Sequence, residues 1–503
     1  MLATVLSSTI SGIDGIPVSV EVHVAPGLPC FTIVGLPDAS CREARDRVRA
    51  AIVSSELEWP MKRITVNLAP GDVPKVGTGI DLPMALGILS ASGQLPADAC
   101  SDVGAFGELG LDGSVRPVPG ALSMVDAIAT PRVAVPAADA RVCALVAGER
   151  MRPVRTLRQV VDALGSGVAW PDVEIAVEPE PPPPEPDLAD VRGQHEARRA
   201  LVLAAAGGHH LLLSGPPGAG KTMLARRLPG LLPDLDPVES LAVTRIHSAA
   251  GLQLPPSGLI TRPPFRAPHH NASMSSMVGG GVGLARPGEV SAASGGVLFL
   301  DELGEFAPSV LDSLRQPLEE GVVRVARSGG VSTHPASVLL VAAMNPCPCG
   351  EGGTVACRCS PPTRARYARR ISGPLLDRID LMVHVDRPRP ESLLGGLPEE
   401  PTAAAAKQVE AARQIAAERG AKCNAKLTDA QLDDCASLDK EAEAVLRLAL
   451  RQGRLSARGL RRVRCVARTI RDLEDGEPGL RARDVAAALQ LRSRPLLGAG
   501  IER

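Results

Sequence analysis

Residues 215–222 read Gly215, Pro216, Pro217, Gly218, Ala219, Gly220, Lys221, Thr222: two glycines around a four-residue spacer, then a cation and a hydroxyl. Glycines in such a loop let successive backbone N–H groups point inward at phosphate oxygens. The lysine can reach β- and γ-phosphates, and the hydroxyl is a ligand for Mg²⁺. The apolar run HHLLLS (209–214) precedes the loop and TMLARRL follows it. This predicts a strand running into a helix whose N-terminus adds partial positive charge. A second group lies 79 residues past Thr222, where VLFLDE (297–302) ends an apolar strand in two carboxylates. Asp301 is placed to hold the magnesium and its water, and Glu302 to polarise the water that attacks the γ-phosphate. An acidic pair after a strand is common, but with the glycine loop before it the two read as an ATP hydrolysis site.

Four of the 11 cysteines cluster as C-x-C-x₇-C-x-C: Cys347, Cys349, Cys357 and Cys359. Two thiolate pairs across a short loop can close a tetrahedral sulfur shell around a structural Zn²⁺. Free thiols and a redox pair are the alternatives left open. Four thiolates already complete a tetrahedral shell, so a structural and not a catalytic metal is expected. The other cysteines are scattered and read as buried thiols.

These groups need elements to hold them. The 503 residues, 45% hydrophobic and 22% charged, suffice for about two to four domains and exclude a disordered chain. No apolar run approaches the roughly 20 residues of a membrane helix. The opening MLATVLSSTISGIDG has no basic leader and carries Asp14, so no secretion signal is expected and the expected location is cytoplasmic. EPEPPPPEP (178–186) is an extended spacer. It divides an N-terminal domain (1–172) from the rest, with 173–187 as linker. VSVEVHV (18–24) and ITVNL (64–68) predict strands, 40–57 a helix, and DLPMALGILS (81–90) a buried helix capped by Asp81. Strands at 209–214, 297–300 and 338–343 predict an α/β domain with a parallel sheet over 188–395. Residues 396–503 read as helical.

GPPGAGKT, with RPPFRAPHHNAS (262–273), GEVSAASGGVLFLDELGEF (288–306), LRQPLEEG (314–321), AAMNPCPCG (342–350) and SGPLLDRIDL (372–381), resembles the magnesium-chelatase-like AAA+ ATPases of the YifB/ComM family. The resemblance implies an α/β multidomain chain: an AAA+ P-loop core, a C-terminal helical lid, ATP and Mg²⁺ as ligands, and assembly into a homo-oligomer, usually a hexamer. It assigns Asn345 as the residue that orients the water. Arg378 becomes the arginine finger acting on a neighbour's ATP, with Arg369 and Arg370 as rivals, and Arg458 the lid arginine. VNLAPGDVPKVGTGIDLPMALGILSA (66–91) and GELGLDGSVRPVPG (107–120) are similar to the α+β Lon-protease-like domain. Gly79 stands where that protease has its serine, and no lysine occurs between 110 and 130. Without nucleophile and base no peptidase is expected.

The substrate is read from position, because 48 Arg against 7 Lys reflects a GC-rich genome before it reflects nucleic acid. Residues 321–337 predict a hairpin that offers Arg324 and Arg327 to phosphates. The stretch 262–283 offers Arg266, with His269 and His270. Residues 451–471 hold eight arginines and no acid, with Arg461, Arg464, Arg468 and Arg471 on one helical face. The expected activity is a DNA motor of the ComM type, driving branch migration in recombination and natural transformation on single-stranded or branched DNA. A metal-chelatase motor subunit and a chaperone-like ATPase acting on proteins are the alternatives.

Overall fold

The computed structural model describes residues 1–172, 185–280, 286–327, 330–352, 356–391 and 399–492, with backbone alone at Arg327 and Gly330. Most of the expected linker, residues 173–184, lies outside the described residues, as does the side chain of Arg327.

The N-terminal segment is α+β. Its strands are β1 (Leu2–Ser11), β2 (Asp14–Ala25), β3 (Cys30–Val34), β4 (Arg63–Ala69), β5 (Val103–Ala105), β6 (Glu108–Leu109), β7 (Val115–Arg116), β8 (Arg132–Pro136) and β9 (Met151–Val154). Seven of them make one sheet, ordered β3-β4-β2-β1-β5-β8-β9, and β6 and β7 form a separate ribbon. Val18, Val20, Val22 and Val24 face the core on alternate positions of β2, as the period-two pattern requires. Helix 81–92 is buried from Asp81 to Ala91, so it has no polar face to show in its sequence. Asp81 is not its cap, contrary to expectation; Ile80 holds that position. The Asp81 carboxylate is buried and accepts from Arg47 Nε at 2.7 Å and Nη2 at 3.0 Å, and burial pushes its pKa up to about 6. Gly79 sits under Met124, whose Cε would be 2.8 Å from a Cβ added there. A side chain fills the space a nucleophile would need.

The following strands are β10 (Leu211–Ser214), β11 (Phe265–Arg266), β12 (Val297–Leu300), β13 (Val322–Arg327), β14 (Gly330–Pro335), β15 (Leu339–Met344) and β16 (Leu381–His384). Five form a sheet of order β11-β12-β15-β10-β16, with every pair parallel. Every residue of β10, β12 and β15 is buried, hence the unbroken apolar runs. β11 and β16 were not expected. The first is two residues long, and the second starts only at the last residue of the motif that carries Arg378. β13 and β14 pair as the expected hairpin.

Helices 402–418, 429–435, 440–451, 457–474 and 482–490 form the C-terminal part. One core runs without a break from Leu211, Leu213 and Val341 of the sheet, through helix 195–207, to Val409, Val463 and Val485. The C-terminal arginines correct the sequence reading. Arg468 and Arg471 are buried, not laid on a phosphate-binding face. Arg468 donates twice to Asp472, from Nε at 3.0 Å and Nη2 at 2.6 Å, and Arg471 pairs with Asp475 at 3.1 Å. Arg461 and Arg464 pair with Asp429 at 2.9 Å and Asp433 at 2.8 Å. The acids missing from 451–471 come from just beyond it and from a neighbouring helix.

Asp472 also accepts from Arg419 at 2.7 and 2.8 Å and from Asn424 at 2.7 Å. Removing it strands a fully buried guanidinium. Asp472→Ala is expected to cost about 3–5 kcal/mol and lower the thermal unfolding midpoint, a loss that differential scanning calorimetry reads directly.

Candidate nucleotide-binding site

Parallel pairing places the site. Ser214 is level with Met344, and Leu300 with Ala342, so the loops leaving β10, β12 and β15 emerge together at the carboxyl edge of the sheet. Gly215 passes against the chain after β16, where an added Cβ would lie 2.0 Å from Val385 O. Gly218 and Gly220 have φ of +77° and +91°, which glycine alone adopts freely.

Lys221 Nζ donates to Gly215 O at 2.7 Å, Pro216 O at 2.9 Å and Asn345 Oδ1 at 3.1 Å. Burial lowers its pKa, and Asp301 opposes that shift. Thr222 Oγ1 donates to Asp301 Oδ2 at 2.7 Å, and the Glu302 N–H donates to Asp301 Oδ1 at 2.9 Å. A hydroxyl beside a carboxylate is an oxygen-only donor set that fits Mg²⁺. Five residues named from sequence, Lys221, Thr222, Asp301, Glu302 and Asn345, are thus brought to one edge.

Glu302 has a left-handed backbone, φ +52°, and an exposed carboxylate. Its Oε2 lies 2.9 Å from His270 Nδ1. The His270 ring lies 4.1 Å from that of His269 and meets Phe306 edge-on at 6.5 Å. Sequence reasoning noted His270 but not this partner; the HH pair shortly after β11 was the available signal. Arg370, a rival for the finger, instead pairs with Glu305 at 3.0 Å.

Arg378 and Arg458 converge elsewhere. Arg378 donates to Pro374 O at 2.7 Å and to the Glu319 carboxylate. Arg458, 73% exposed, lies 3.5 Å from the other Glu319 oxygen. Glu319 was not singled out from sequence. Of the DNA-contact candidates, Arg324 is exposed and paired with Glu320. Arg266 donates from Nε and Nη2 to the Glu289 carboxylate, at 2.7 and 2.8 Å.

The four cysteine sulfurs lie within 4.8 Å of one another, with Cys347–Cys349 at 3.4 Å, Cys349–Cys357 at 3.5 Å and Cys347–Cys357 at 3.8 Å. Bonds of about 2.3 Å to a tetrahedral zinc would set the sulfurs roughly 3.8 Å apart, so the donor set fits. Backbone N–H groups, that of Glu351 first, lower the Cys349 thiol to about 6. The loop leans on the phosphate-binding loop: a Cβ added at Gly350 would lie 2.3 Å from Pro217 Cδ.

Family models described as magnesium chelatase, subunit ChlI, match residues 187–393, and its C-terminal part matches 399–492. A third, described as subunit ChlI of magnesium chelatase, matches 20–138. The competence protein ComM of Haemophilus influenzae is 42% identical over 500 residues, covering 98% of this chain and 97% of its own. YifB of Escherichia coli is 42% identical over 469 residues, covering 93% and 92%. The chain belongs to the magnesium-chelatase-like YifB/ComM family. The 67 kDa magnesium-chelatase subunit of Heliobacterium mobile is 27% identical over 240 residues, covering 42% of this chain and 34% of its own. The parallel sheet and helical C-terminal part are those of an AAA+ core in this family. Among the described residues no helix is long and apolar enough to cross a membrane.

Elemental analysis of the purified protein is expected to find about one zinc per chain. Cys349→Ser with Cys357→Ser should remove it. Four freely titrating thiols in the native protein would contradict the metal.

Proposed function

We propose that this protein is an ATP-hydrolysing motor that acts on DNA, a branch-migration helicase of the ComM type serving recombination and natural transformation. The observation that carries the hydrolytic part is the meeting of Lys221, Thr222, Asp301, Glu302 and Asn345 at the ends of adjacent strands. Likeness to a competence protein over nearly the whole chain supports the DNA part and favours it over a chelatase motor, whose likeness is weaker and covers less of either chain.

In this reading ATP lies over residues 215–222. Lys221 exchanges the Gly215 and Pro216 carbonyls for phosphate oxygens. Thr222 and Asp301 would hold Mg²⁺, which would supply positive charge against the phosphates. Asn345 orients the attacking water, and Glu302, swinging off His270, polarises it. Arg378, held at Glu319, is the finger that reaches the nucleotide of the next copy in a ring, and Arg458 beside it is the lid arginine. Arg324 on the β13–β14 hairpin contacts the DNA backbone without stacking on bases, in keeping with a chain that has a single Tyr and 5 Phe. The four-cysteine loop holds a structural zinc and braces Pro217.

Hydrolysis should rise when single-stranded or four-way-junction DNA is added. Lys221→Ala should lose nucleotide binding. Glu302→Gln should still bind ATP while kcat falls by about 10²–10⁴. A coupled ATPase assay with and without each DNA reads the rates, and titration with a fluorescent ATP analogue reads binding by the two variants; a rate indifferent to every DNA would end the DNA assignment.

Arg378→Ala should keep nucleotide affinity and lose about 10³-fold in kcat. Mixing it with Lys221→Ala should restore activity, because the second variant supplies the intact finger to the first's intact loop. No recovery in mixed assemblies would place Arg378 outside the hydrolytic site.

A further inference from the structure

Among the described residues the N-terminal part meets the ATPase part along two seams. The first is broad. Arg245 lies 2.6 Å from Asp126, the Gly120 N–H donates to Ser248 O at 2.8 Å, and Leu241 and Leu254 pack on the cluster of Phe106, Val118 and Val142. The second is a single point. Gly12, in the two-residue turn joining β1 to β2, is buried with φ +67°, and a Cβ added there would stand 2.2 Å from Ser332 Oγ and 2.8 Å from His334 Cε1. Glycine is therefore required twice, by the backbone angle and by the contact.

The turn is stiffened from behind. Ser123 Oγ donates to Ile13 O at 2.6 Å, and the backbone at Gly15 presses on Ser123 O, leaving no room for a Cβ. Ser123 belongs to helix 121–127, which also carries Asp126 of the first seam. One short helix thus both fixes the turn and ties it to the ATPase helix 237–250.

On the other side of the contact, β14 alternates. Ser332 and His334 are buried, level with Val325 and Val323, while Arg324, Val331 and Thr333 are exposed on the opposite face. The His334 ring is fully buried; its Nε2 lies 3.1 Å from Ser332 Oγ and its Nδ1 has no hydrogen-bond partner. A polar ring with an unsatisfied nitrogen is a costly way to fill a core position that valine could take. Its place, directly beneath a glycine-only turn of another domain, makes it part of a seat rather than filler.

We infer that the N-terminal domain is a backstop for the β13–β14 hairpin: the 12–13 turn seats on Ser332 and His334 and sets the direction in which the Arg324 face points. The contact stands on geometry alone; its meaning for DNA rests on the proposed function.

The test uses the full chain with Gly12→Ala, whose added Cβ should lift the turn off Ser332 and His334. Hydrogen exchange across 322–335 is expected to speed several-fold, while 81–92 keeps its protection. His334→Ala, which adds no bulk and leaves the turn sequence intact, should likewise speed exchange in 322–335. Unchanged exchange across 322–335 in Gly12→Ala, with 81–92 still protected, overturns the inference. If the wild-type ATPase ignores DNA, the DNA reading alone fails, and exchange still decides the backstop.

Discussion

Everything at the nucleotide site follows from the register of three parallel strands. Had β12 slipped by one residue against β15, Asp301 would leave Thr222, and the side chains of Val297 to Leu300 would swap faces of a sheet buried on both sides. The apolar packing that fixes this register is therefore also what sets the 2.7 Å spacing between hydroxyl and carboxylate. Catalytic geometry here is a by-product of burying Leu, Val, Ala and Phe, and the polar groups ride on it.

The polar groups are in turn poised against one another. Lys221 rests on loop carbonyls and Asn345, Glu302 on His270, Arg378 and Arg458 on Glu319. Each pairing holds its side chain in one place, and in the proposed reading Lys221, Asn345, Glu302 and the two arginines exchange these partners for a phosphate or a water. Lys221 and Arg378 are buried enough for their pairings to satisfy a desolvated charge; Glu302 and Arg458 are open to solvent.

The core of the site was legible because its residues are local in sequence: GPPGAGKT and VLFLDE carry their own strands and turns with them. What escaped was non-local. His270 finds Glu302 across 32 residues, and Glu319 collects arginines from two different segments. β16 escaped because it starts only at the last residue of the segment that was read for its arginine. The C-terminal arginine cluster misled for the same reason: a window of sequence shows which charges are near along the chain, while Asp429 and Asp433 arrive from another helix. Burial of Arg468 could not be told from exposure by periodicity alone, since a long side chain on a helix flank serves either end.

The unbroken core joining the ATPase sheet to the C-terminal helices has a mechanical corollary. Close-packed interiors are nearly incompressible, so these parts move as one stiff unit. Within the chain, compliance falls where packing is thin, as where the 12–13 turn touches β14 at a single point.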